Sequence, residues 1–282
     1  MNATENFGRS FRVKAIAVFA GVLLVLLYRF VSGTLFTGLA GFCCGLEYGN
    51  VFYHLFIKTG IPAFVLSSHS VSAFFDFCLF GLPVLFLLTR QRIFAVVFTA
   101  VAVTYFLLFN MVTAHFYHGF FAVVIISIPF WSKNEKRFNL LWEGLRYYLL
   151  YIFTSAALWK IFRGSVFYQE QLSNILKHQQ LDLLLQQPQN YQAHCVQYLI
   201  AHPETSHVLL IANVALQLFF ILGFFTKKFD SLLFVLAIIF CSANYFVMGI
   251  TSSELLVLNL TLLNWEKIDS LFANKMLLQQ GR

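Results

Sequence analysis

A chain of 282 residues that is 59% hydrophobic, 18% aromatic and only 11% charged is not an ordinary soluble domain with a covered core, and lipid must be its main solvent. Its formal charge of +7 comes from few residues, most of them at the ends of apolar stretches, which points to membrane topology and away from nucleic-acid binding. The five cysteines (Cys43, Cys44, Cys78, Cys195 and Cys241) show neither CxxC nor zinc-type spacing, so neither a disulfide scaffold nor a metal centre is expected of them.

The N-terminus carries Arg9, Arg12 and Lys14 ahead of the apolar stretch Ala15 to Leu27, the layout of a signal peptide. The run Leu39, Ala40, Gly41, Phe42, Cys43 nearly matches a lipoprotein cleavage box, but Phe42 intrudes and the position is late, so a retained first helix is expected. Crossing the hydrocarbon layer takes about 20 apolar residues in a helix, and such segments recur along the chain. The expected fold is all-α, a polytopic transmembrane bundle of about eight spans read as one domain over 1–282. The spans fall near 14–34, 68–88, 93–112, 116–131, 138–162, 207–225, 229–249 and 252–265.

Basic residues fix the orientation, because Lys and Arg accumulate in short cytoplasmic loops. With both termini cytoplasmic, the inner segments hold Arg9, Arg12, Lys14, Arg90, Arg92, Lys133, Lys136, Arg137, Lys227, Lys228, Lys267, Lys275 and Arg282. The outer side holds Lys58, Lys160, Arg163 and Lys177, while Arg29 and Arg146 fall inside apolar segments. Trp131, Trp142 and Trp265 then sit near the inner interface, as belt aromatics do. A multi-pass protein of a bacterial inner membrane fits this pattern. Two long outer segments, 32–67 and 164–206, are expected to pack on the bundle. In the second, Leu172, Ile175, Leu176, Leu183 and Leu184 approximate one helical face, opposed by Gln171, Asn174, Lys177, His178 and Asp182, and Pro188 ends the pattern. That segment reads as an interfacial amphipathic helix.

In this topology all eight histidines lie outside, and Asp76, Asn110, Asn213 and Asn244 lie in the outer halves of their spans. Arg29 reaches about the depth of Asp76, so an ion pair between them is expected, either to fasten two helices or to serve a site. His115 and His118, spaced i, i+3 across a tight outer turn, are compatible with a metal, haem or proton-transfer role, although no carboxylate lies nearby in sequence. Lys160 closes the fifth span in YIFTSAALWKIFRGS (Tyr151 to Ser165). It either snorkels to water or, desolvated by Trp159, Phe162 and lipid, gives up its proton and acts as a base.

An aromatic helix with small residues leading into Lys160, then an apolar residue and a glycine, resembles the membrane domain of the vitamin K-dependent γ-carboxylases. It is equally similar to their stand-alone relatives, the horizontally transferred transmembrane (HTTM) domain proteins. The segment ALQLFFILGFFTKKFDSLLFVLAIIFCSANYFVMGI resembles the later helices of that family. The resemblance implies a catalytic base at Lys160 and an outward-facing intramembrane cavity for a quinone or other lipid-like molecule. His115, His118, Arg29, Asp76 and Asn244 would serve as cavity or proton-transfer groups. The family's later helices often carry Glu and His where this chain has Gln217 and Asn244, and its large lumenal part has no counterpart here, so protein γ-carboxylation is not expected. Two other functions fit the composition: a non-catalytic subunit or assembly factor working with other membrane-protein subunits or an exported peptide, and a small-molecule transporter lined by Arg29, Asp76, Arg146 and Glu254. P-loop, GxSxG, HExxH and dinucleotide fingerprints are absent in usable contexts.

Overall fold

The computed structural model describes residues 3–40, 51–113, 120–250, 252–265 and 267–268, and among them every regular element is helical. In chain order the helices are α1 (Ala3–Val31), α2 (Phe36–Leu39), α3 (Val51–Lys58), α4 (Ile61–Val65), α5 (His69–Thr89), α6 (Arg92–Thr113) and α7 (Phe121–Ile126). There follow α8 (Glu135–Phe162), α9 (Gln171–Gln179), α10 (Leu181–Gln186), α11 (Tyr191–Ala201), α12 (Pro203–Leu218), α13 (Leu222–Phe225), α14 (Asp230–Met248) and α15 (Ser253–Asn259).

Five stretches are long and apolar enough to cross a membrane: Ser10–Leu39, His69–Thr89, Arg92–Val112, Pro203–Phe225 and Asp230–Met248. The protein is therefore a helical membrane protein. Three of the eight expected spans are helical without meeting that standard. Phe121–Trp131 and Ser253–Leu262 are short, and α8 is 28 residues long but, beyond its charged first turn, carries Glu143, Arg146 and Lys160. The described residues divide into two compact units, one falling within 3–143 with 265–268 and the other within 144–264.

In the first unit, α5 packs against α1, α2, α4 and α6. Its start is set locally, because the Ser68 hydroxyl accepts from Val71 N at 3.3 Å, and Ser72 Oγ donates back to the Val65 carbonyl at 2.9 Å. Between lipid-immersed helices the hydrophobic effect offers little net drive, so close packing and polar contacts must hold them together. Phenylalanine supplies the packing. Phe19 stands 4.7 Å from Phe86 and 5.3 Å from Phe130, and Phe130 stands 5.5 Å from Phe138, all tilted or edge-on. Such geometry is favoured by the ring quadrupoles, by about 0.5–1.5 kcal/mol per pair beyond area. The polar fastening is Thr99 on α6, whose hydroxyl meets Ser127 Oγ at 2.5 Å and accepts from Trp131 Nε1 at 3.2 Å. Of the three expected belt tryptophans, only Trp131 is exposed; Trp142 and Trp265 are buried edge to face at 6.2 Å.

In the second unit, Phe153 of α8 stacks on Phe220 at 4.1 Å and meets Phe240 of α14 edge-on at 5.0 Å. One turn before Phe153's own turn, Leu150 lies so close to α13 that a Cβ on Gly223 would stand 2.6 Å from a Leu150 methyl. That close approach has an electrostatic use. Arg146, one turn earlier on the same face of α8, donates Nη2 to the Gly223 carbonyl at 2.8 Å. Its fork also meets the Asp230 carboxylate, Nε to Oδ2 at 2.8 Å and Nη2 to Oδ1 at 2.7 Å. A bidentate pair of this kind is the form in which an arginine is best tolerated at 2% exposure.

The 164–206 segment begins after Gly164, whose φ of +72° turns the chain out of α8. Its expected amphipathic helix is interrupted at Gln180, giving α9 and α10. The apolar face of α9 is turned to protein: Leu172 and Leu176 form a small core with Val196, Leu199 and Leu210 of α11 and α12, with Leu184 packed beside it. The apolar periodicity thus signals helix-on-helix packing within this unit. Gln180 Nε2 donates to the Met248 carbonyl and so ties the segment to the end of α14.

Breaking one side of the buried pair leaves an uncompensated charge, so Asp230→Asn is expected to destabilise the protein by about 3–5 kcal/mol in thermal unfolding in detergent. The double change Arg146→Met with Asp230→Leu should recover most of that loss. Equal loss in both would mean that the pair's energetic weight lies elsewhere.

Candidate functional site

The polar residues of the first unit gather where α1 runs into α2. Thr34 and Ser32 bend the chain by donating their hydroxyls to the Arg29 carbonyl, both at 3.1 Å. Beyond the bend, Asp76 of α5 receives the start of α2: Phe36 N donates to Oδ1 at 2.9 Å, and Thr37 donates its N–H at 3.0 Å and its hydroxyl at 2.7 Å to Oδ2. A carboxylate from a distant helix therefore caps a helix whose own preceding residue, Leu35, has no capping side chain.

The expected Arg29–Asp76 ion pair is not formed: the carboxylate receives these three donors from α2. Arg29 instead lies 4.6 Å from the Phe109 ring and 5.7 Å from the Phe120 ring, with Nη1 3.5 Å from the Tyr105 hydroxyl. Tyr105 in turn donates to the Thr34 carbonyl at 2.7 Å. Aromatic faces solvate a guanidinium that has left water. His115 and His118 lie outside the described residues, as do Cys43 and Cys44.

The second unit holds Lys160, Asn244 and Gln217. Lys160 does not snorkel away from the helices; its Nζ donates to Gln217 Oε1 of α12 at 2.8 Å. Gln217 is buried at 2% exposure, and Lys160 is half-buried. Trp159 and Phe162, expected to desolvate the ammonium, are exposed. Asn244 is half-buried on α14, and its carbonyl accepts from Ile250 N as that helix ends. Glu254 is fully buried on α15, with the Ser253 hydroxyl 3.4 Å from its Oε2.

Two cations of α8 thus have opposite environments. Arg146 is met by a carboxylate, whereas Lys160 is met by a neutral amide, and no carboxylate among the described residues pairs with it. Chemically, an ammonium bound to one amide oxygen keeps donors for a further acceptor and a charge for an anion. Among the described residues no group of three or more His, Cys, Asp or Glu side chains is arranged to hold a metal.

No family model, curated protein or solved structure matches the chain.

Asp230 and Tyr105 went unremarked in the sequence pattern. Asp230 had a signal: an arginine inside an apolar helix requires a counter-charge, and Asp230 opens a neighbouring span. Tyr105 had none, since one tyrosine among 12 carries no mark of its role.

Asp76→Asn removes the negative charge that receives two backbone N–H groups, and is expected to cost about 2 kcal/mol of stability in detergent unfolding. Thr37→Val, which deletes only the hydroxyl, should cost about half as much. A neutral Asp76→Asn would show that α2 is capped by other means.

Proposed function

We propose that this chain is an HTTM-type membrane protein, built like the membrane domain of the vitamin K-dependent γ-carboxylases, in which Lys160 receives a quinone or another lipid-like molecule. In this reading the chain crosses a bacterial inner membrane about eight times with both termini in the cytoplasm. Lys160 then belongs to the outer half of the bilayer.

The observation that carries the reading is the Lys160–Gln217 bond at 2.8 Å. A charge among apolar helices is expensive unless it is neutralised, and the chain neutralises Arg146 with Asp230. Lys160 is held in place and left un-neutralised. That is the arrangement expected of a group whose second partner is a ligand: Gln217 fixes the direction of Nζ, and the remaining N–H groups address an acceptor such as a quinone carbonyl or its reduced oxyanion. Lysine also suits proton transfer in a way arginine does not, because desolvation shifts its protonation readily. In the resembled family a glutamate often occupies the place of Gln217. The amide here keeps Lys160 from being consumed in an ion pair.

Loss of one charge-assisted hydrogen bond weakens binding by about 1.5–3 kcal/mol, roughly 10- to 150-fold. Lys160→Met should therefore lose that factor in affinity for a ubiquinone or menaquinone analogue titrated into purified protein. Gln217→Glu should weaken binding as well, by neutralising the ammonium, while the folded fraction stays unchanged. Retention of the analogue by Lys160→Met at wild-type affinity would remove Lys160 from the site.

Orientation has its own check. In intact cells, a cysteine replacing Tyr191 should react with a membrane-impermeant maleimide, and one replacing Lys133 should react only after permeabilisation. The reverse pattern would invert the topology and move Lys160 to the cytoplasmic half.

A further inference from the structure

A cleft of about 70 Å³ opens between α1 and α5 in the first unit, lined by Phe11, Arg12, Ala15, Ile16, Phe86, Leu87 and Arg90. Its body is apolar, and among the described residues that line it the only charges are the two guanidiniums. Both arginines are exposed, and neither guanidinium makes a hydrogen bond or ion pair with another described residue. Lys14, on the same helix, shows the alternative: it is buried over the rings of Phe138 and Trp142, at 5.4 and 5.2 Å, so its charge is absorbed inside the protein.

Arg90 is also the single non-glycine residue with positive φ among the described residues, at +57°. It closes α5 by donating its N–H to the Phe86 carbonyl at 2.7 Å, in the place where helices usually put glycine or asparagine. A long cationic side chain stands at a backbone position that disfavours it, in the lining of the cleft. A residue in the left-handed region is a reason to look for a role of its side chain.

We infer that the α1–α5 cleft is a binding site for an anionic phospholipid, with the phosphate between Arg12 and Arg90 and the start of an acyl chain against Ile16 and Phe86. Charge complementarity selects the headgroup, since paired guanidiniums bind phosphate oxygens bidentately. The surroundings select a lipid over a soluble phosphate, because the cleft lies between two membrane-crossing helices at their basic ends, where anionic headgroups are met. In the topology proposed above this is the cytoplasmic leaflet; the site itself does not depend on Lys160 or its ligand.

Native mass spectrometry of the full chain in a neutral detergent, titrated with phosphatidylglycerol or phosphatidylcholine, tests the inference. Each basic residue near an anionic lipid contributes roughly five-fold, so wild type should prefer phosphatidylglycerol by about thirty-fold. Arg12→Gln with Arg90→Gln should abolish the preference at unchanged elution volume and melting temperature. Lys133→Gln with Lys136→Gln, which removes two basic residues that do not line the cleft, should keep it. Ile16→Trp, which fills the cleft and spares the charges, should lower phosphatidylglycerol binding. Equal binding of the two lipids by wild type, or equal loss of preference in the Lys133 and Lys136 variant, would overturn it: the arginines would then be only part of a diffuse basic surface.

Discussion

A polar group carried into a membrane must find its partner inside the protein, and the helices here are arranged around that requirement. Asp76 meets it by receiving the start of α2, Tyr105 by holding the Thr34 carbonyl, and Arg146 by reaching both Asp230 and the Gly223 carbonyl. The packing follows from these fixed points. Gly223 lacks a side chain because α13 must come near enough to α8 for its carbonyl to accept from Arg146. The Phe153–Phe220 stack sits beside that approach, so the aromatic core of the second unit is organised by an ionic one. In a water-soluble protein such a pair adds little to stability. Between helices that gain nothing from leaving lipid, it decides which faces meet.

Helix positions were legible in the sequence because hydropathy records them directly. The starts and ends of α5, α6 and α14 fall within a residue or so of the expected spans, since hydropathy bounds all three and Ser68 and Gly249 are local start and stop signals that need no knowledge of neighbours. Partners were less legible. Arg29 and Asp76 share a depth, and depth alone made them look like a pair. What it could not register is that the chain doubles back after Arg29, so that two backbone N–H groups of α2 reach the carboxylate first. The 164–206 segment shows the same limit from the apolar side. Periodicity located the face of α9 correctly but said nothing of whether lipid or Val196, Leu199 and Leu210 would cover it. For Lys160, composition left snorkelling and burial open, and the decision was made by Gln217, 57 residues away.

Arg146 and Lys160, two of the four cations of α8, support the proposed function most directly, because a single helix treats them differently. Arginine keeps its charge at any working pH and offers a planar fork that fits one carboxylate, which makes it suited to a permanent contact. Arg146 is used in that way: buried, bidentate and additionally bonded to a backbone carbonyl. Lysine offers a point charge with rotatable donors and a proton it can lose. Were Lys160 only a fastener between α8 and α12, a carboxylate at position 217 would bind it more firmly, and a pair of apolar residues would hold the helices at less desolvation cost. The chain has neither. An ammonium positioned by a neutral amide gives up stability that either alternative would supply, and that sacrifice is what supports the proposal that Lys160 is reserved for a partner that comes and goes.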